Sequence, residues 1–404
     1  MRKWVLGILS LLFLCGCTSQ PLSQKDDLKI VVASDIHYFL KDYYQDCEWF
    51  EESMLYGDGK MVTYADEILD AFMNKMLDIK PDFVILTGDL TFNGEIGSHQ
   101  DLAKRLSQLD QQGISVMVLP GNHDVDNIFT KGYGKEDYFE VDNIDAKKFR
   151  EIYKNLGYQE GLHTHKYSLS YSLSLNKDLT LVMLDSTAHE LTGSSLDSGG
   201  YLTESTYNWL EKELKDIKKQ GKIPLIAMHH NLAIHNELLN QGYTIRDNEK
   251  ISQLFQKYDV PFVLSGHIHC QNIKEINGIY DIASSSLLDA PLQYGLIDVN
   301  KDGMKYHTES LTISEDSDKY FDSVSRNRFS ERLEIENNKD LIVDALVLAN
   351  RYYFAGTIAE HKNEIMNMKG YSLLMESDSF YEQYLKLMMN EDRNHNQLEI
   401  SFYK

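Results

Sequence analysis

From Leu28 onward, short aliphatic runs rich in Val and Ile, each closed by a polar turn, alternate with stretches whose apolar positions recur every three or four residues. The runs are "LKIVVASDIH" (28–37), "PDFVILTGDL" (81–90), "ISVMVLPGNHD" (114–124), "LTLVMLDST" (179–187), "IPLIAMHHN" (223–231) and "VPFVLSGHIH" (260–269). Continuous apolar runs of this length predict strands covered on both faces. The three-and-four spacing over 64–79, 99–112, 205–220 and 246–258 predicts amphipathic helices. Strands alternating with helices imply an α/β layered domain, expected over residues 28–314. Near its end, "GIYDIASSSL", "YGLIDVN" and "MKYHTESLTI" follow one another without a helix and predict adjacent antiparallel strands or hairpins. Beyond Ser314 the pattern turns helical. Residues 315–404 are expected to form a helical region packed on the α/β domain, there to cover apolar surface or to shape access to a site.

What sets these runs apart is how they end: Asp35 and His37; Gly88 and Asp89; Gly121, Asn122, His123 and Asp124; His229 and His230; then Gly266, His267 and His269. Open α/β sheets place their chemistry at such strand ends. Taken singly, a strand-end Asp is a cap or turn former, a Gly-Asp pair a turn, and a lone His a hydrogen-bonded structural group. His163 and His165, with no buried strand before them, read as an ordinary polar turn or edge strand. The set is a different matter. Imidazoles, carboxylates and one amide oxygen, with no thiolate, compose a ligand shell for two metal ions of the Mn, Fe, Zn or Co kind. Side chains at i and i+2 of extended backbone project to one side, so Asp35 and His37 can reach one ion, and His267 and His269 one each. Glycines 88, 121 and 266 suit sharp turns beside bulky ligands, where a Cβ would obstruct.

Composition changes the picture in two places. With 40 basic and 62 acidic residues, a net charge of −22 disfavours nucleic acid polymers and anionic lipid surfaces as partners. Small anionic substrates remain possible where a local cation overrides the field. At the N-terminus, Arg2 and Lys3 precede an uncharged stretch from Trp4 to Cys17, shorter than the roughly 20 apolar residues of a membrane span, as in an export signal. Within it "LCGC" (14–17) resembles a bacterial lipobox. Residues 1–16 are then expected to be a lipoprotein signal peptide, Cys17 the lipidated residue, and 17–27 a tether. The protein would be exported and held at the cell envelope by lipid on Cys17 alone; an ordinary secretory signal is the alternative. Outside this segment only Cys47 and Cys270 remain, free to pair or to stay as buried thiols.

The five motifs, in this order from Asp35 to His269, resemble those of the calcineurin-like metallophosphoesterase superfamily. The resemblance implies a four-layer α/β/β/α sandwich with two mixed sheets. It also implies that Asp35, His37 and His269 hold one ion, that Asn122, His229 and His267 hold the other, and that Asp89 bridges them. At "MHH" the first histidine matches the family ligand, which leaves His230 behind it or on the substrate side. Two ions roughly 3.5–4 Å apart hold a bridging hydroxide and stabilise in-line displacement at phosphorus. His123 is then free to protonate the leaving oxygen, with Asp124 orienting or electrostatically supporting it. Phe92 stands where purple acid phosphatases carry a tyrosine, and "GDLTFNGE" (88–95) lacks the arginine of protein serine/threonine phosphatases. What remains is most similar to class III cyclic-nucleotide phosphodiesterases and their secreted bacterial relatives. The expected activity is hydrolysis of cyclic nucleotides or similar small phosphodiesters with two ions per chain, Mn and Fe before Zn or Co. A phosphomonoesterase or nucleotidase is the alternative, and a non-catalytic metal- or ligand-binding surface lipoprotein is the alternative of another class. Tyr38, Tyr43, Tyr44 and Trp49 could stack a base at the site mouth or simply pack.

Overall fold

Each aliphatic run becomes a strand in the computed structural model, which describes residues 20–45, 47–159, 162–187 and 198–402. In the first sheet β1 (Leu28–Ala33), β2 (Phe83–Leu86) and β3 (Ser115–Val118) run parallel. On the other side of β1, the sheet continues antiparallel through β13 (Gln293–Val299), β14 (Gly303–Ser310) and β15 (Gln397–Ser401). The second sheet has the order β11 (Asn272–Ile276), β12 (Ile279–Ala283), β10 (Phe262–Ser265), β9 (Ile223–Met228), β8 (Leu179–Leu184), β7 (Tyr171–Ser174), β6 (His163–Thr164). Its four central strands are parallel and its outer strands antiparallel. A short ribbon pairs β4 (Gly132–Tyr133) with β5 (Tyr138–Phe139).

Alternation along each strand builds four layers. Ile30, Val32, Phe83 and Ile85 face the second sheet and meet Leu181, Met183, Leu225, Phe262 and Leu264 between the sheets. Val31, Ala33, Val84 and Leu86 face outward onto α1 (Glu48–Met54), α2 (Ala65–Ile79), α3 (Ile96–Gln111) and α4 (Ala146–Ile152). Val182, Leu184, Ile226 and Val263 do the same on the far side, against α5 (Glu204–Lys219) and α6 (Asn248–Lys257). Emptying one inter-sheet position, as in Phe262→Ala, should cost about 3–5 kcal/mol in denaturant unfolding. The two-sheet sandwich is the one that the motifs implied.

The C-terminal region folds as α7 (Ser317–Arg332), α8 (Lys339–Phe354), α9 (Ile358–Met366), α10 (Lys369–Met375) and α11 (Phe380–Met389). Its core, centred on Ile342, Val343, Leu346 and Ala349 of α8, includes Cys270, the residue after His269. Hydrogen bonds reinforce the join: Gln271 backbone N–H donates to Phe354 O at 2.9 Å, and the Gln271 side-chain Nε2 donates to His395 O at 2.8 Å.

Two elements differ from the sequence expectation. β12 joins the second sheet beside β10, whereas β13 and β14 form a hairpin in the first, so the segment between them crosses from sheet to sheet. An apolar pattern fixes a strand's faces but not its sheet. The helical region also ends in a strand: "QLEIS" (397–401) alternates exposed and half-buried residues and pairs with β14, a five-residue edge too short to stand out. Leu22 N–H and Ser23 N–H donate to Ser174 O and Leu175 O, so the expected tether lies against the domain from Leu22. The expected signal peptide and Cys17 fall outside the described residues. Cys47 and Cys270 are free thiols buried in separate cores.

Candidate metal centre

Five strand ends, from β1, β2 and β3 of one sheet and β9 and β10 of the other, turn into a common site. After β1 and β2 the two loops keep the parallel ladder going, Asp35 N–H donating to Gly88 O at 3.0 Å and His37 N–H to Asp89 O at 2.9 Å. Asp35, His37, Asp89, His267 and His269 all take left-handed backbone, with φ of 51°, 42°, 48°, 69° and 58°. Such conformations cost about 1–3 kcal/mol each, and Asp and His tolerate them better than most residues. Close approach sets the glycines: a Cβ on Gly121 would lie 2.7 Å from Asp89 Cγ, and one on Gly266 would lie 2.5 Å from Asp35 Oδ2. On the second-sheet side, Asn231 donates to Ser265 Oγ and Gly266 O, and buried Asp281 accepts from Leu232 N–H, Ala233 N–H and Ser265 Oγ. These bonds lock the "MHHN" and "SGHIH" loops together.

The buried ligand atoms form two groups that share Asp89. Asp35, His37, Asp89 and His269 make the first, with His269 Nε2 3.3 Å from Asp35 Oδ1 and His37 Nε2 3.8 Å from Asp89 Oδ2. Asp89, His229 and His267 make the second, with His229 Nε2 3.3 Å from Asp89 Oδ2. Asn122 joins it, its Oδ1 3.0 Å from His229 Nε2. All seven expected ligands therefore converge.

The fit to cations can be read from the tautomers. His229 Nδ1 faces Thr87 O at 2.9 Å and His267 Nε2 faces Gly242 O at 2.8 Å, so in the neutral rings these atoms carry the protons. The remaining nitrogens, His229 Nε2 and His267 Nδ1, then point lone pairs at each other across 3.1 Å. His37 Nε2 and His269 Nε2 stand 3.2 Å apart, and Asp35 Oδ1 is buried without a hydrogen-bond partner. Opposed lone pairs and an unpartnered carboxylate oxygen are unfavourable unless a proton or a metal ion lies among them.

Charge is arranged accordingly. Burial pushes Asp89 up, but the imidazoles of His229 and His123 hold it well below the usual carboxylate range. Burial pushes His229 down, and Asp89 overrides it, raising the imidazole to about 9. Burial and the neighbouring His229 bring His267 down to about 4. Burial, then Lys60 and His123, hold His37 well below its ordinary value.

His123 lies beside this cluster. Its backbone N–H donates to Asp89 Oδ1 at 2.8 Å, its Nδ1 faces Phe92 O at 2.7 Å, and its side chain is 30% exposed. Asp124 does not orient it. The Asp124 carboxylate accepts from the backbone N–H groups of Gly121, Leu90 and Thr91 and from Thr91 Oγ1, which pins the "GDL" turn to the "GNHD" turn. Burial, aided by Asp89, lifts its pKa to about 7 against those bonds. The Phe92 carbonyl takes the orienting role expected of Asp124. His230 is turned away, its nitrogens on Ser186 Oγ and Ser198 O, which agrees with His229 as the ligand. Tyr38, Tyr43, Tyr44 and Trp49 are packing residues: Tyr38 bonds Asp66 and Asp101, Tyr44 stacks on Phe39, Tyr43 accepts from Gly97 N–H, and Trp49 donates to Gly134 O. His163 is in the edge strand β6.

Two groups escaped the sequence reading. Asp289, fully buried, stands 3.2 Å from His269 Nδ1 and leaves Nε2 for the cluster. Lys60, paired with Asp58 at 3.0 Å, lines the cavity in front of the cluster. That cavity, of about 450 Å³, also takes in side chains of α7, α8 and α11, so the helical region shapes access to the site.

Comparison with known proteins places these features. Residues 28–271 match the model for the calcineurin-like phosphoesterase family, and residues 305–395 match that for the C-terminal domain of cyclic nucleotide phosphodiesterase. A protein of Arcobacter nitrofigilis named "Probable glycerophosphodiester phosphodiesterase" is 26% identical over 60% of this chain and 77% of its own. A 3',5'-cyclic-nucleotide phosphodiesterase of Nostoc is 23% identical over 66% of this chain and 80% of its own. Among solved structures, a dimetal phosphatase from Danio rerio covers 71% of this chain and 99% of its own at 12% identity and a TM-score of 0.46.

Proposed function

Because the chain belongs to the calcineurin-like phosphoesterase family, we propose that it is a two-metal phosphodiesterase hydrolysing cyclic nucleotides or similarly small diesters. The shared carboxylate carries this reading: Asp89 belongs to both ligand groups, which fuses them into one dinuclear site. Asp35, His37 and His269 would hold one ion, Asn122, His229 and His267 the other, and Asp89 both. Nitrogen and oxygen donors without thiolate suit Mn and Fe, with Zn and Co next. Bound there, such ions supply Lewis acidity toward phosphate oxygens and a nucleophilic water at neutral pH.

The protein's own groups do the rest. His123, with Nδ1 held by the Phe92 carbonyl, presents Nε2 as proton donor to the leaving oxygen. Burial holds this imidazole below its ordinary value although Asp89 raises it. An arriving phosphate acts in the same sense as Asp89, so substrate itself charges the ring. Lys60 adds a cation facing the phosphate in an otherwise acidic chain. Preference for diesters draws support from the relatives' names, of which one specifies a cyclic nucleotide and another a glycerophosphodiester. We further propose export and anchoring through lipid on Cys17, for which membrane fractionation of Cys17→Ser against the parent is the test.

The metal-loaded full chain should turn over bis-p-nitrophenyl phosphate and 3',5'-cyclic AMP faster than nucleoside monophosphates. Monoester turnover without diester turnover would refute the diester reading. Fewer than two ions per chain with no hydrolysis would favour a ligand-binding lipoprotein.

A further inference from the structure

Arg328 and Arg332 occupy i and i+4 of α7 and line the same cavity as Asp89, Asn122, His123, His267 and His269. Like charges at this spacing repel each other and destabilise a helix. An acidic protein has carboxylates to spare for relieving them. Even so, neither guanidinium makes an ion pair or hydrogen bond with another described residue. Nearby arginines behave differently: Arg326 on the same helix pairs with Asp344 at 2.6 Å, and Arg351 on α8 pairs with Asp322 at 3.2 Å.

The pair is fixed relative to the metal ligands. Phe329, between them, packs in one apolar cluster with Cys270, the neighbour of His269. Asn236 of the loop after β9 donates to the Tyr353 hydroxyl of α8 at 3.2 Å, and both line the cavity, so this loop and the bundle are joined in its wall. Aromatic side chains line the same cavity: Phe380 is 53% exposed and stacks on Tyr384, and the Tyr243 ring stands 5.1 Å from that of His267. A cavity of about 450 Å³ is in the range that encloses a whole organic ligand, far more than one phosphate requires.

We propose that Arg328 and Arg332 form a subsite for a second, non-scissile phosphate of the substrate. The molecules it favours are dinucleotide-like: one phosphate at the metal cluster, a base against the aromatic faces, and another phosphate on the arginine pair. Guanidinium groups meet phosphate with charge-assisted, forked hydrogen bonds, which supply both affinity and register. This assignment rests on the phosphodiesterase reading and narrows its substrate class.

The test compares 5'-phosphorylated diadenylate (pApA) with ApA, which differ only in the second phosphate, on the metal-loaded full chain. The parent should favour pApA by about tenfold or more in kcat/KM, carried by KM. In R328Q/R332Q that ratio should fall to near one, while turnover of bis-p-nitrophenyl phosphate stays within about twofold. R328K/R332K should keep part of the preference. An unchanged pApA-to-ApA ratio in R328Q/R332Q, or an equal loss on all three substrates, overturns the subsite. Should the parent hydrolyse none of the three, the phosphodiesterase reading fails, and equilibrium binding of pApA against ApA to both proteins decides the subsite by the same ratio.

Discussion

The two ends of the cavity are built on opposite plans. At the metal end the ligands Asp35, His37, Asp89, His229 and His267 are buried, several on left-handed backbone, and the loops that carry them are cross-bonded. At the helical end Arg328 is half-buried, Arg332 is exposed, and both ride on an ordinary helix with no ion-pair or hydrogen-bond partner among the described residues. Chemistry at phosphorus tolerates little displacement, so its groups are held at a cost in strain. Recognition of a second group tolerates more, and flexible cations on a rigid helix suffice for it. The contrast predicts that substitutions at the metal end affect all substrates alike, whereas those at the helical end affect them selectively.

The hardest test of that contrast is Asp89→Ala. Removing the carboxylate shared by both ligand groups should cost several kcal/mol of transition-state stabilisation, about a thousandfold in kcat/KM, on every diester. Metal analysis should show fewer than two ions retained; full occupancy with parental turnover would break the account. His123→Ala should spare metal content and lower kcat by about 10²–10⁴ for alkoxide leaving groups. For p-nitrophenolate, which needs no proton, the loss should be much smaller, and an equal loss for both leaving groups would remove His123 from acid catalysis.

Next in size comes Asp289→Asn, which weakens the orientation of His269 without deleting a ligand; metal affinity measured by competition with a chelator should fall about 10–100-fold. Acidity should act at the same place. Asp89 raises His229 to about 9, so below that pH a proton occupies the nitrogen a metal needs. Apparent metal affinity should therefore rise with pH up to about 9. The last effect falls on stability and leaves the chemistry aside. Burial raises Glu95 to about 8, well above an unfolded glutamate near 4.3. Between those values the unfolded chain has released a proton that the folded chain keeps, so this group's contribution to stability is present at low pH and declines as pH rises toward 8. Glu95→Gln should flatten that part of the profile in denaturant unfolding at pH 5 to 8, with little change in catalysis.

The same contrast explains what could be read from the chain alone. Asp35, Asp89, Asn122, His229, His267 and their neighbours each close an aliphatic run, so the strand pattern itself pointed to them. Asp289 follows a serine-leucine turn that crosses between the sheets, and Lys60 lies in a glycine-rich turn with no strand before it. Neither carries a one-dimensional mark. Arg328 and Arg332 look like solvated charges on a surface helix, and only the folded cavity, with Phe329 in the same apolar cluster as Cys270, gives them a site to face. Asp124 departs from the role expected of it because the turn sends its carboxylate back onto three backbone N–H groups, a fold of the loop that the sequence does not display.

The strand β15 sits beside β14 at the margin of the sheet that supplies Asp35 and Asp89. Until residues 397–401 are in place, one edge of β14 therefore stays unsealed. Any version cut after the helices would display the unpaired backbone of β14, a ready template for another molecule's strand.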